Sequence, residues 1–127
     1  MHGEIIGGIV EMLRKHYEDV EEHKVTLAGS SGVTIRWLIA EADGAQRFAL
    51  RRFEIAPLGR IGLHSHPEEH EIYVLSGKAR IYDDRGVETV AGPDDVLYVP
   101  PYEAHGYDNI GDDVFTFLCV IPLNIEA

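Results

Sequence analysis

Three histidines, His64, His66 and His70, fall within seven residues of one another, and His105 lies thirty-five residues further along. Imidazole is the commonest protein ligand for zinc, iron, nickel and copper, because its neutral form presents a lone pair near pH 7. One isolated histidine is ordinarily a surface or core residue. The run His-Ser-His-Pro-Glu-Glu-His over residues 64–70, with a fourth histidine downstream, points instead to one divalent transition-metal ion. Such an ion supplies Lewis-acid or redox chemistry that side chains alone do not. His2, His16 and His23 sit in a polar N-terminal region and are expected in solvent.

Strands are the elements that can bring the four together. Residues two apart on a strand share a face, so His64 and His66 project together from one extended segment. Pro67 ends that segment. His70 then opens an apolar run in which His70, Ile72 and Val74 share one face and Glu71, Tyr73 and Leu75 the other. His105 opens a further short strand after Pro100-Pro101, with Tyr107 on its face. Three strands can thus aim four imidazoles into one interior.

The rest of the chain supplies such a scaffold. Runs rich in β-forming residues at 24–27, 33–40, 47–55, 71–75, 78–82, 88–90, 96–99, 104–107 and 114–121 alternate with turn signals such as Asp43-Gly44, Pro57-Leu58-Gly59 and Asp84-Arg85-Gly86. That punctuation, roughly every 8 to 12 residues, is the mark of a sandwich or barrel. Within the first sixteen residues the pattern changes: Ile5, Ile6, Ile9, Val10 and Leu13 recur at helical spacing. A short N-terminal helix is expected there, weakened by about 1 kcal/mol at each of Gly7 and Gly8 relative to alanine. The expected division is an N-terminal helical extension over residues 1–22 and a single β-barrel domain over residues 23–127.

Composition narrows the function. With 127 residues the chain suffices for one core and is too short for two. Its net charge of −11, from 22 acidic against 11 basic residues, offers no basic stripe for phosphates, so nucleic acid is excluded as a partner. The acidic pairs, among them Asp83-Asp84 and Asp112-Asp113, read as solvated turns, since no calcium-binding loop surrounds them. No apolar run approaches the roughly 18 residues that span a bilayer, and no membrane role is expected. The N-terminus lacks the basic start and cleavage site of a signal peptide, and the lone Cys119 excludes an intrachain disulfide framework. A cytoplasmic location is therefore expected.

The two histidine segments resemble the motifs of the cupin family, small jelly-roll β-barrels. The first motif runs Gly-x5-His-x-His-x3,4-Glu-x6-Gly, and the second Gly-x5-Pro-x-Gly-x2-His-x3-Asn. His64 and His66 match the first histidine pair and Gly77 its closing glycine; His105 and Asn109 match His-x3-Asn, with Pro100 at the proline. Two positions depart: Gly59 precedes His64 by four intervening residues rather than five, and Tyr102 replaces the inner glycine. At the glutamate position, three residues intervene after His66 and six before Gly77 only if the residue is His70. Glu71, on the opposite face, is left out of the ligand set. The resemblance implies an all-β fold, the cupin double-stranded β-helix or jelly roll. It also implies a four-histidine metal site of His64, His66, His70 and His105, similar to small single-domain cupins that bind manganese or iron. Zinc, nickel, cobalt and copper are the other candidate ions. Cupin barrels commonly pair through an outer sheet face, so a homodimer is expected.

Four neutral ligands leave the full +2 charge of a divalent ion uncancelled and, in an octahedral ion, leave two positions open to a substrate or to substrate plus dioxygen. On the final strand Phe115, Phe117, Cys119 and Ile121 share one face and Thr116, Leu118 and Val120 the other, and parity leaves either set free to face the cavity. Phe117, Cys119 and Ile121, with Tyr107, are the expected pocket residues, since aromatic and soft side chains suit a small organic ligand. Arg36, Arg51 and Arg60 are candidates to meet a substrate carboxylate, and strand parity alone does not choose among them. The leading expectation is a metal-dependent oxidoreductase of dioxygenase type acting on a small organic substrate. The alternatives are a metal-dependent isomerase or lyase of a sugar or organic acid, and a non-catalytic small-molecule-binding or sensor domain.

Overall fold

Period-two burial runs through the long strands and sets which residues meet inside. In the strand His70–Ser76, His70, Ile72 and Val74 are buried while Glu71, Tyr73 and Leu75 are exposed. In Phe115–Pro122 the odd-numbered residues are buried throughout. One face of each strand therefore turns toward a shared apolar interior and the other toward solvent.

The computed structural model describes residues 5–6 and 9–123. Its strands are β1 (Ile5–Ile6), β2 (Ile9–Val10), β3 (Glu22–Lys24), β4 (Ser31–Ile39), β5 (Phe48–His64), β6 (His70–Ser76), β7 (Ala79–Tyr82), β8 (Glu88–Ala91), β9 (Val96–Val99), β10 (His105–Asn109) and β11 (Phe115–Pro122). All pairings are antiparallel, and β3 to β11 join one sheet that curls into a nearly closed jelly-roll barrel. The core centres on Val33, Ile55, Val74, Phe115, Phe117 and Cys119, each almost wholly buried. Among the described residues no helix is long and apolar enough to cross a membrane.

Strand β5 organises the barrel. Its first half pairs with β4 and β11, and its second half turns away to pair with β10, bringing His64 directly opposite His105. The turn expected at Pro57-Leu58-Gly59 is a bend within this strand rather than its end. Leu58 has a left-handed φ of 66°, and the β4–β5 register shifts there. Such irregularities kink a strand without ending it.

Two motif residues latch the barrel. Gly77 has a φ of +85°, and a Cβ there would lie 2.6 Å from the Val114 carbonyl oxygen, so glycine is required. The buried Asn109 donates from Nδ2 to the carbonyls of Ile55 and Asp113, each at 2.9 Å, and accepts from the Gly111 amide at 2.9 Å. It thereby ties β10 to β5 and to the turn before β11.

The N-terminal helix is corrected. Ile5–Ile6 pairs antiparallel with Ile9–Val10, and among the described residues of this region the helical content is the 3-10 turn Tyr17–Asp19. Residues 1–4 and 7–8 of the segment lie outside the described residues. The β-branched Ile and Val that met the helical spacing favour strands on propensity, and the two glycines disfavour a helix. The 3-10 turn is held to the barrel by Arg36, whose Nη1 donates to the carbonyls of Tyr17 and Val20 at 3.1 Å each. The Arg52 guanidinium lies 3.9 Å over the Tyr17 ring.

Candidate metal centre

The four histidines come together at one end of the barrel. His64 closes β5, His70 opens β6, and His105 opens β10, while His66 lies in the connection just past β5. Ring centroids are 4.3 Å apart for His64 and His105, 4.4 Å for His66 and His70, and 5.0 Å for His66 and His105. One nitrogen from each ring lies within 4.8 Å of the other three. Two imidazole nitrogens on opposite sides of one ion are about 4.2 Å apart at metal–nitrogen lengths of about 2.1 Å.

Backbone carbonyls fix which nitrogen two of the rings offer. Nδ1 of His64 donates to the Gly62 carbonyl at 2.7 Å, and Nδ1 of His105 donates to the Glu103 carbonyl at 2.8 Å. A neutral ring with its proton on Nδ1 presents its lone pair at Nε2. The His105 Nε2 is buried without a partner. Nε2 of His66 and Nε2 of His70 face each other at 2.8 Å. His66 Nδ1 lies 3.8 Å from the Glu68 carboxylate, beyond hydrogen-bond distance, and both atoms are buried without a partner.

Gly62 makes the close approach possible, since a Cβ there would lie 2.1 Å from the Ala28 carbonyl oxygen. Across the site, the Tyr102 amide donates to the His66 carbonyl at 2.8 Å and the Ser65 hydroxyl to the Tyr102 carbonyl at 2.6 Å. Tyr102 itself takes a φ of 64°, the left-handed conformation that glycine adopts without steric cost. The departure from the motif therefore leaves the loop shape intact.

Burial holds three of the rings, His64, His70 and His105, toward the neutral form. Burial, followed by the Arg51 cation and the neighbouring rings, pushes the His70 imidazolium down to about 2. Burial pushes His105 down to about 4 and also lowers His64. Burial raises the Tyr107 phenol and the Cys119 thiol, so both hold their protons near neutral pH.

The histidines line a cavity of about 250 Å³. Tyr107, Phe117 and Cys119 lie on its wall, as does Arg51. Ile121 is buried but outside the cavity, a correction to the expected wall. It pairs with Ala49, one strand repeat beyond Cys119 opposite Arg51, and the cavity does not extend that far. Glu71 is exposed on the outer face of β6, and His16 and His23 are exposed near the N-terminus. Arg36 is engaged at the 3-10 turn, and Arg60 donates to the Gly29 carbonyl outside the cavity. Phe53, Ile61, Val25, Leu27 and Ile35 also line the cavity. Sequence reasoning missed these. The available signal was β5 parity, because Phe53 follows Arg51 by two residues and stacks on Phe117 at 4.9 Å between centroids.

The family profile of the cupin domain matches residues 51–121. The chain belongs to the cupin family. Among solved structures, this cupin is similar to the polyketide cyclase RemF from Streptomyces resistomycificus. The TM-score is 0.82 and the identity 38%, covering 88% of this chain and 80% of that one. An oxalate-binding protein from Thermotoga maritima is 32% identical over 72 residues, which is 57% of this chain and 60% of that protein. A glucose-6-phosphate isomerase from Pyrococcus furiosus is 38% identical over 68 residues, 46% of this chain and 34% of that enzyme. The cupin thus spans less than two thirds of the length of either curated relative.

Proposed function

We propose that His64, His66, His70 and His105 hold one divalent transition-metal ion and that this cupin is an enzyme acting on a small organic substrate in the adjoining cavity. The observation that carries the reading is the convergence of four imidazoles, one nitrogen of each lying within 4.8 Å of the others. Manganese or iron is the ion suggested by the family resemblance; imidazole also suits zinc, nickel, cobalt and copper. When bound, the ion supplies Lewis-acid polarisation of a substrate oxygen and, if redox-active, electron exchange.

The chain's own residues bind and orient. The Gly62 and Glu103 carbonyls hold His64 and His105 in the tautomer that offers Nε2. Phe53 and Phe117 give the cavity a flat apolar floor that excludes water from one side of a ligand. Tyr107 and Cys119 keep protons at Oη and Sγ beside it.

For the reaction, the likeness to a polyketide cyclase over 88% of this chain favours redox-neutral chemistry on a carbonyl-bearing substrate, a reaction of lyase or cyclase type. The dioxygenase reading is second, supported by the mainly apolar wall that would admit dioxygen. Metal-loaded protein given a panel of poly-β-carbonyl compounds, under nitrogen and in air, separates them. Conversion under nitrogen without oxygen uptake is expected. Conversion that requires air and consumes oxygen would replace the first reading with the second, and tight binding without conversion would overturn both.

We also place a second copy of the chain on the outer sheet face, where Tyr73, Leu75, Val96 and Tyr98 are exposed. Sedimentation at micromolar concentration should give twice the 14.2 kDa chain mass, and a monomer would contradict this. The lone cysteine fits a reducing cytoplasm as the setting.

A further inference from the structure

We propose that Arg51 is the anion-recognition residue of the cavity, and that the ligand of this cupin is therefore a carboxylate-bearing organic acid rather than a neutral compound. The inference deepens the metal-centre reading and rests on it for the location of the ligand.

Arg51 projects inward from β5, where Ala49 and Phe53 share its face. Its Nη2 lies 3.0 Å from Cys119 Sγ and 3.2 Å from His70 Nδ1, and its Nε is buried with no acceptor. Among the described residues no carboxylate lies within ion-pair distance of it. The cavity wall also carries no acid, although the chain has 22 acidic residues against 11 basic. Buried charges are ordinarily paired, because leaving one without a counter-charge is costly. A thiol is a weak acceptor and does not compensate. Arg36 and Arg60 both find oxygen acceptors elsewhere. Arg51 alone of the three is left facing the cavity.

The His70 contact is conditional. A guanidinium only donates, so His70 accepts at Nδ1 only while its proton sits on Nε2. If Nε2 offers its lone pair to an ion, the proton moves to Nδ1 and Arg51 loses that acceptor. An occupied site would then join an uncompensated guanidinium to an ion with four neutral ligands. A carboxylate is the group that answers both charges, and Arg is the side chain whose planar fork matches it. The ring of Phe53, 4.9 Å from the guanidinium carbon, and that of Trp37, at 5.4 Å, are placed to hold the group by its faces and leave its N–H edges available.

The test uses malonate and its neutral isostere malonamide as probes. Each is titrated calorimetrically into zinc-loaded and metal-free wild type, Arg51→Met and Arg51→Lys, with zinc content measured on every sample. Wild type should bind malonate at least about tenfold more tightly than malonamide, as expected for a hydrogen bond to a charged group. Arg51→Met should erase that preference in the metal-free protein and reduce it in the zinc-loaded protein, where the ion still favours the anion, while retaining zinc; Arg51→Lys should keep part of it. Equal binding of the two probes by wild type, or an undiminished preference in Arg51→Met, would overturn the proposal. Wild type that takes up no zinc would instead defeat the metal reading, and the metal-free titrations would still judge Arg51. Should Arg51→Met fail to fold, the wild-type comparison and Arg51→Lys decide, with an Arg51→Lys preference equal to wild type counting against the guanidinium.

Discussion

Replacing His105 with alanine is expected to abolish stoichiometric metal binding while leaving the barrel folded. His105 stands directly across the β5–β10 pair from His64, and its ring is the closest of the others to His64, at 4.3 Å between centroids. Its Nε2 is buried without a partner, and its tautomer is fixed by the Glu103 carbonyl. Loss of an outer-shell partner alone typically lowers metal affinity about 10- to 100-fold, so loss of a ligand should cost more. The variant should bind no ion that survives dialysis, as read by elemental analysis. Its metal-free unfolding midpoint should stay near that of metal-free wild type, because the position lies at a strand end and the change removes a buried polar ring with an orphaned nitrogen. One tightly held equivalent of metal in the variant would contradict the assignment.

Phe117→Ala is expected to be the most damaging change to stability. Phe117 is 1% exposed, stacks on Phe53 at 4.9 Å and on Tyr107 at 5.3 Å, and lies 5.5 Å from Phe115. It pairs across β11 with Phe53 on one side and Val74 on the other, so its ring joins both halves of the barrel wall. Removing a buried phenyl ring costs about 3–5 kcal/mol through lost burial and the cavity left behind. Against a total stability of about 5–15 kcal/mol for an ordinary domain, that loss brings the barrel close to unfolding. Urea unfolding monitored by Trp37 fluorescence measures it, and a change below about 1 kcal/mol would show that the aromatic stack is not central to the core.

The site was readable where period-two alternation and motif spacing act together. His70 and Glu71 are neighbours, and a strand cannot turn both inward; the structure buries the first and exposes the second. Asn109 and Gly77 were readable as motif positions, though only the fold shows why they matter, one as a hydrogen-bond latch and the other as a left-handed close approach. Arg51 was not readable, because inward and outward parity are equivalent until one residue of β5 is fixed. Its neighbours Arg52 and Glu54 pair with each other on the outer face, and that pairing leaves Arg51 inside. Ile121 was over-assigned because face-sharing says nothing about how far along a strand a cavity extends. The helix failed for a physical reason too. Apolar residues at helical spacing cannot decide the backbone when they are β-branched and separated by two glycines.

X-ray absorption of the zinc-loaded protein tests the metal centre most directly. Four imidazole nitrogens at about 2.0–2.1 Å, with the multiple-scattering pattern of histidine rings, are the expected first shell. A shell containing two imidazoles or fewer, or protein that takes up no zinc, would contradict it.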